Sequence, residues 1–437
     1  MVPFDHVSGL PVLWSLALPQ GEPWDSGIKA AKIIREAGFQ VYAAGGCVRD
    51  VLLGLPVHDI DLATSAHPEH IEKIFQDQNW HTIAVGKAFG VIVVVTPSDL
   101  NIEVATFRND GAYIDGRRPQ SISFSHVSDD VQRRDFTINA LLYDIKNNVV
   151  MDYVNGRADL LAGIIRAVGD PLARLREDRL RVLRALRFAA RLNFCIEPET
   201  WEAVKATSLV GLSGERIMQE WSKALAGSGR SRWLQLLSES GHLVNICAPL
   251  AACSSTDIST LGRRLDEIQS TDPRSLSLAL WLSPLWLSPA SQASAESWLD
   301  DQRLPSAVVR AARWMLDHAA AWSRLSSLPL AARRRLWRHV DGPLLGRLIE
   351  LLHGDQPLRK EAVQTLSAEM KSEQGVSWSS PLRAEELIAM GLLPGPQLGA
   401  LLREIENADL EGRFMNHAAA ETFARARIAE LKNREAK

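Results

Sequence analysis

The hydrophobic pattern changes character about a third of the way along the chain. In GIKAAKIIREAGF apolar residues recur three and four apart, which predicts an amphipathic helix. QVYAAGG, IDLAT, GVIVVVTP and NIEVATF are short apolar or β-branched runs that predict strands, the first of them ending in a glycine turn. PEHIEKIFQ predicts a second helix, and the polar stretch RNDGAYIDGRRPQS predicts a mobile loop. Residues 26 to about 150 therefore imply a small α/β domain with a mostly antiparallel or mixed sheet. Beyond about residue 155 the β-branched runs fade. RLREDRLRVLRALRFAARL, PETWEAVKAT and GERIMQEWSKALAG carry helical periodicity, and helical patterning continues to Lys437. Pro, Ser and Gly clusters near 211–215, 326–330 and 375–381 mark expected joints.

Composition narrows this picture. A chain of 437 residues is too long for one ordinary domain, so roughly two to four are expected. The 46% hydrophobic and 23% charged residues exclude a disordered chain. A formal net charge of -3 excludes a uniformly basic nucleic-acid binder but leaves local basic patches open. Cys47, Cys195, Cys247 and Cys253 are scattered without a C-x-x-C pair, so neither a zinc site nor a disulfide framework is expected, and a reducing cytoplasm fits. The first 25 residues lack a basic stretch before their short apolar run, and no run of about 18 apolar residues occurs. Neither a signal peptide nor a membrane span is expected.

The chemistry concentrates in GGCVRDVLLGLPVHDIDLAT. Gly45 and Gly46 lie between a predicted strand and a predicted helix, where backbone N–H groups can approach phosphates, and Arg49 adds a fixed positive charge. Asp59 and Asp61 alternate along a predicted strand and so share a face. Two carboxylates on one face suit hard divalent cations that also bind substrate phosphates, and Glu103 on an adjacent predicted strand is a candidate third. Such a set suits in-line displacement assisted by two metals.

A second constellation lies in EDRLRVLRALRF. Asp178 and Arg181 are helical neighbours at i, i+3. An aspartate only accepts hydrogen bonds and an arginine only donates them. Cytosine and adenine each present an amino donor beside a ring-nitrogen acceptor, whereas uracil and guanine reverse both polarities. An Asp/Arg pair aimed at the base edge would therefore accept C and A and reject U and G.

GGCVRD, LLGLPVHDIDLAT, VGKAFGVIVV, EVATFRNDGAYIDGRRPQSISF, RRDFTINALLYD and EDRLRVLRALRF follow one another in this order. They resemble the class II tRNA nucleotidyltransferase and bacterial poly(A) polymerase family, over roughly residues 26–225. The resemblance implies an α+β chain: a polymerase-β-like head with a small mixed sheet, then all-helical neck, body and tail. The expected division is an N-terminal extension at 1–25, a catalytic head at 26–152, a neck with base recognition at 153–225, a body at 226–330 and a tRNA-binding tail at 331–437.

By the same resemblance, Asp59 and Asp61 match the Mg²⁺-binding carboxylates of a two-metal site, which Glu103, from its place on the adjacent predicted strand, is expected to help shape. Gly46 and Arg49 match positions holding the nucleotide's phosphates. Arg133 or Arg134 matches a nucleotide-contacting arginine, with Asn139 nearby. Asp178 and Arg181 match base readers, and Arg184 and Arg187 match further nucleotide-site arginines. Because i+3 steps drift by about 60° each on helical geometry, Arg187 is expected to turn away from Asp178. RNDGAYIDGRRP resembles a flexible loop that helps the site change from C to A addition, with Arg108, Asp110, Arg117 and Arg118 as candidate levers or RNA contacts.

The C-terminal half is less informative. Arg333, Arg334, Arg335 and Arg338 are candidate tRNA phosphate contacts or a solvated helix face. Pro394-Gly395-Pro396 precedes a predicted helix whose free N–H groups suit a phosphate or an ordinary cap. No HD-type metal-hydrolase pair is found there. The leading expectation is a cytoplasmic, monomeric enzyme that adds CCA to the tRNA acceptor end from CTP and ATP. An A-adding enzyme and a poly(A) polymerase follow. VGKAFGVIVV resembles the tRNA-specific branch, and the intact loop argues against an enzyme limited to CC addition. A non-catalytic RNA-binding module is the reading from another class, and the presence of all three carboxylates speaks against it.

Overall fold

The computed structural model describes residues 12–16, 21–111, 121–320, 322–325, 327–354, 357–373 and 379–435. It divides into two units, Met1–Ala251 and Ala252–Lys437.

The first unit is built on an eight-stranded sheet. In chain order its elements begin β1 (Val12–Ser15), α1 (Trp24–Glu36), β2 (Val41–Ala44), α2 (Gly46–Leu52), β3 (Asp61–Thr64), α3 (Pro68–Asp77), β4 (His81–Gly86), β5 (Val91–Val95) and β6 (Asn101–Thr106). They continue with β7 (Arg108–Asp110), β8 (Ile122–Phe124), α4 (Val127–Gln132), β9 (Leu142–Asp144), β10 (Val149–Asp152) and α5 (Gly156–Ala162). The strand order is β1-β10-β9-β2-β3-β6-β5-β4. Within this sheet β3 and β6 run parallel and the other neighbours antiparallel, so the mixed sheet expected from the sequence is present.

Alternation sets the buried faces. Ile92 and Val94 of β5, and Ile102, Val104 and Thr106 of β6, are buried, while their neighbours face outward. Helix α1 presents Trp24, Ala30, Ala31 and Ile34 to the core, and α3 presents Ile71 and Phe75. The close approach of α1 to the segment before β3 needs a glycine, since a Cβ on Gly27 would lie 2.8 Å from Ile60 Cδ1. A second cluster packs Phe107, Val131, Ala140, Leu142, Met151 and Val168 together with Ala44 and Ala63.

Three sequence expectations change here. Strand β1, inside the segment expected to be an N-terminal extension, pairs with β10 as the sheet's outer strand. The expected loop at 108–121 is partly a ribbon, because β7 pairs antiparallel with β8. The long helix expected at 174–192 is two helices, α6 (Pro171–Glu177) and α7 (Leu180–Leu192), interrupted at Asp178, whose backbone is extended at φ −135, ψ 102. After α7 come α8 (Pro198–Ala206), α9 (Gly214–Ala226) and α10 (Arg230–Glu239).

Every described secondary-structure element of the second unit is a helix. The helix Arg274–Trp286 is buried on nearly every side and packs against Ser306–Ala320 and Gly342–His353. A separate cluster joins Leu382, Leu387, Leu392, Leu401, Ile405, Ala420, Ala424 and Ile428 near the C-terminal end. No described helix is long and apolar enough to cross a membrane.

Candidate active site

A cavity of about 900 Å³ in the first unit collects residues from the sheet, α2, the segment that follows α4, α7 and α9. Gly45, Gly46, Arg49, Asp59, Asp61, Glu103, Arg133, Arg134, Asn139, Asp178, Arg181, Arg184 and Arg187 all line it.

The carboxylates sit where two strands run side by side. Asp61 opens β3, and in the parallel register its partner on β6 is Glu103. Asp59 lies two residues before Asp61, outside the strand and exposed, so the two aspartates do not alternate along one strand as expected; the strand begins at Asp61. Burial pushes the Asp61 carboxyl up to about 7, and the neighbouring charges of Glu103 and Asp59 push the same way. These hard oxygen donors fit a divalent cation, whose positive charge would offset the burial and the neighbouring charges that hold the Asp61 carboxyl up.

The glycine turn stands at the end of β2, which pairs with β3 so that Ala44 lies opposite Asp61. Gly45 has φ +78, a conformation disfavoured with a side chain, and its N–H donates to the Leu141 carbonyl at 3.2 Å. That bond ties the turn to the 3₁₀ segment Thr137–Asn139 and its neighbours. Arg49, only 2% exposed, donates to Asp50 Oδ1 at 2.8 Å and to Asn139 Oδ1 at 2.5 Å. Arg133 and Arg134 both hold Asp130, and Arg134 reaches the Asn139 carbonyl at 3.4 Å. Arg184 grips Asp135 at 2.6 Å, and Arg187 grips Glu220 at 2.6 Å. Burial pushes the Asp135 carboxyl up, but Arg184, with help from Arg181 and Asn139, outweighs it and takes the group down to about 2.

The pair expected to read the base is arranged differently from the expectation. Asp178 lies in the break between α6 and α7, not on a helix. One of its oxygens caps the Leu180 N–H at 3.1 Å, and Arg216 of α9 binds the carboxylate through two bonds of 3.0 and 2.9 Å. Arg181 donates to Glu177 at 2.6 Å, to the Arg174 carbonyl at 2.8 Å and to the Arg133 carbonyl at 2.9 Å. Asp178 and Arg181 are thus each held by other residues while facing one cavity. The helical count from Asp178 to Arg187 does not apply across the break, and Arg187 lines the same cavity.

The ribbon carries the described part of the expected flexible loop. Arg108 pairs with Asp110 at 2.8 Å and donates to the Phe89 carbonyl, and Asp110 lies 3.9 Å from Arg133. Arg117 and Arg118 fall outside the described residues. In the second unit the arginine run does not form a free row. Arg333 binds Glu369 at 2.9 Å, Arg334 the Leu410 carbonyl at 2.8 Å and Arg335 the Asn407 side chain at 2.9 Å. These bonds pin the helix Leu330–Trp337 to its neighbours; Arg338 caps that helix and is also partnered. The helix after Pro394-Gly395 begins at Pro396, with Gly395 as its cap residue.

Sequence reasoning missed the groups that hold the arginines and the cavity rim: Asp50, Asp130, Phe188, Arg191, Arg216, Glu220 and Lys223. GERIMQEW offered a signal for Arg216 and Glu220, since charged residues four apart share the face of α9 opposite its solvent side.

Known proteins give matching findings. The family described as Poly A polymerase head domain matches residues 41–166, and that described as probable RNA and SrmB-binding site of polymerase A matches residues 193–252. A CCA-adding enzyme of Ligilactobacillus salivarius is 45% identical over 205 residues, which is 46% of this chain and 49% of that relative. A CCA-adding enzyme of Levilactobacillus brevis is 32% identical over 401 residues, 89% of this chain and 94% of the relative. The Bacillus stearothermophilus CCA-adding enzyme in complex with CTP superposes with a TM-score of 0.72 at 26% identity, covering 94% of this chain and 100% of that one.

Proposed function

This chain belongs to the CCA-adding enzyme family, and on that premise we propose that it rebuilds the CCA end of tRNA by successive nucleotidyl transfer from CTP and ATP. The observation that carries this reading is a single cavity that joins Asp61 and Glu103, adjacent on parallel strands, to Asp178 and Arg181 at the α6–α7 break.

In each cycle the RNA 3′-hydroxyl oxygen forms a bond to the α-phosphorus. The bond from that phosphorus to the oxygen bridging to the β-phosphate breaks, and pyrophosphate leaves. The hydroxyl proton is given up at the carboxylate end of the cavity. Asp59 and Asp61, with Glu103 beside them, would hold the Mg²⁺ ions, which when bound supply positive charge for the attacking and leaving oxygens. The Gly45–Gly46 turn, Arg49 and Arg134 receive the triphosphate, whose negative charge their N–H groups and guanidinium ions complement.

Base choice follows from hydrogen-bond polarity. A carboxylate has about four acceptor sites, so Asp178 can hold Arg216 and still accept an amino N–H from cytosine or adenine. Arg181 spends three donors on Glu177, Arg174 and Arg133, which leaves two of its five N–H groups for the adjacent ring nitrogen. Uracil and guanine would set a carbonyl against Asp178 and an N–H against Arg181, leaving buried groups unpaired.

In this reading residues 26–152 carry the chemistry, 153–225 select the base, and 226–330 and 331–437 engage the tRNA in the cytoplasm. The test offers purified enzyme two tRNAs, one lacking CCA and one ending in CC, with CTP, ATP or both. Extension of the first by C, C and A supports the proposal. Extension of the CC-ending tRNA alone, by A only, overturns it in favour of an A-adding enzyme, and a long A tract overturns it in favour of poly(A) synthesis.

A further inference from the structure

Three arginines of the cavity converge on one aromatic ring. The guanidinium carbons of Arg187, Arg49 and Arg184 lie 4.3, 5.0 and 5.2 Å from the centroid of Phe188. Two of these arginines come from α7, while Arg49 comes from α2 beside the glycine turn. Each is also held by a carboxylate of its own, Glu220, Asp50 and Asp135 respectively. Phe188 is 5% exposed, and an edge-on contact with the buried Phe136, at 6.0 Å and 79°, fixes the ring from the protein side.

Like charges this close repel one another, and the carboxylates fix only one edge of each guanidinium. The negative quadrupole of the Phe188 ring is an attraction that all three share. We propose that Phe188 is a positioning residue for nucleotide binding, holding Arg49, Arg184 and Arg187 as one cationic arc toward the triphosphate. An aliphatic side chain of similar volume would fill the same space but attract no cation. The proposal rests on the nucleotide-site reading given above for these arginines.

Ring electronics can be varied at nearly constant shape, which keeps the fold out of the comparison. Phe188 is replaced by 4-fluoro-, 3,5-difluoro- and 3,4,5-trifluorophenylalanine in the full chain, and steady-state incorporation on tRNA is measured with CTP and with ATP. Each fluorine weakens the quadrupole. The expected result is a stepwise rise of KM, about tenfold across the series and equal for the two nucleotides, with kcat within about twofold and CTP-over-UTP preference unchanged. Phe188→Leu should match the most fluorinated member, and Phe188→Tyr should keep the wild-type KM. A KM that stays flat through the series overturns the proposal, as does a change confined to one nucleotide, which would mean the ring stacks on the base. Arg49→Ala in the same assay separates the two levels. If it raises KM while the fluorine series is flat, only the role of Phe188 falls. If it leaves KM unchanged, the assignment of Arg49 to the phosphates falls, and the arc with it.

Discussion

Replacing Asp178 with alanine should change which nucleotide is accepted far more than how stable the protein is. The substitution removes the carboxylate proposed to accept from the base, frees Arg216 and uncaps Leu180. The Asp178–Arg216 pair is partly exposed, at 21% and 19% for the two side chains, so its loss together with the cap should cost only about 1–2 kcal/mol. Discrimination is a larger quantity. A wrong base mispairs two groups, each at about 1.5–3 kcal/mol, which predicts a CTP-over-UTP preference of at least about 10² and up to about 10⁴ in kcat/KM. Removing one reader should leave only the Arg181 part, so the preference should fall by about 10- to 100-fold. The assay is single-nucleotide extension of a tRNA lacking CCA, with kcat/KM determined separately for CTP, ATP, UTP and GTP. Arg216→Ala is the control: it breaks the same ion pair but leaves the carboxylate, so the preference should change by no more than about threefold. Preferences unchanged in both Asp178→Ala and Arg181→Ala would refute the polarity argument. A relaxation equal in Arg216→Ala would show instead that discrimination resides in the shape of the α6–α7 break.

Other consequences can be checked separately. Asp61→Asn should lower incorporation at least about 10³-fold while tRNA affinity, read by filter binding, stays within about twofold; near-normal turnover would refute the metal assignment. Asp135 titrates at about 2 in the fold, below its ordinary 3.8, so its stabilisation is complete above 3.8 and disappears as pH falls through 2. Asp135→Asn should therefore cost about 2 kcal/mol at pH 7, and its urea midpoint should approach that of wild type below pH 3.8; a gap that is constant with pH would contradict this. Gly27→Ala gains helix propensity of about 1 kcal/mol but drives a methyl group against Ile60, which lies between Asp59 and Asp61. Turnover should fall several-fold more than stability would suggest, and an unchanged kcat would show that Ile60 yields without moving the carboxylates.

Much of the site was legible because its chemistry is carried by residue type. Asp59, Asp61, Glu103, the glycine turn and the arginines of α7 can be found without knowing where the chain folds, and all of them reach one cavity. What was hidden depends on distant partners. The run from Arg174 to Leu192 keeps helical periodicity straight through Asp178, and nothing local announces the interruption. It is held by the turn from Asp178 to the Leu180 N–H and by Arg216, 38 residues away. The carboxylates that hold Arg184 and Arg187 lie 49 and 33 residues off, so pairing by helical spacing alone could not find them. Strand β1 is four residues long without clear alternation and becomes a strand only because β10 offers it an edge. RND and ISF were masked by the polar stretch between them, since a ribbon three residues long leaves almost no period to read.

The parallel pairing of β3 with β6 has a consequence for how this chain can vary. Antiparallel neighbours can be joined by a tight turn, but parallel neighbours cannot, so the polypeptide must depart after Asp61–Thr64 and come back for Asn101–Thr106. The rung between Asp61 and Glu103 is set by register and not by the length of that excursion. Residues added at the Lys87–Gly90 or Ser98–Asp99 bends should leave the two carboxylates side by side. One residue gained or lost inside β6, by contrast, would carry Glu103 to the opposite face of the sheet. The detour is where length can drift across generations, whereas the rung admits no indel.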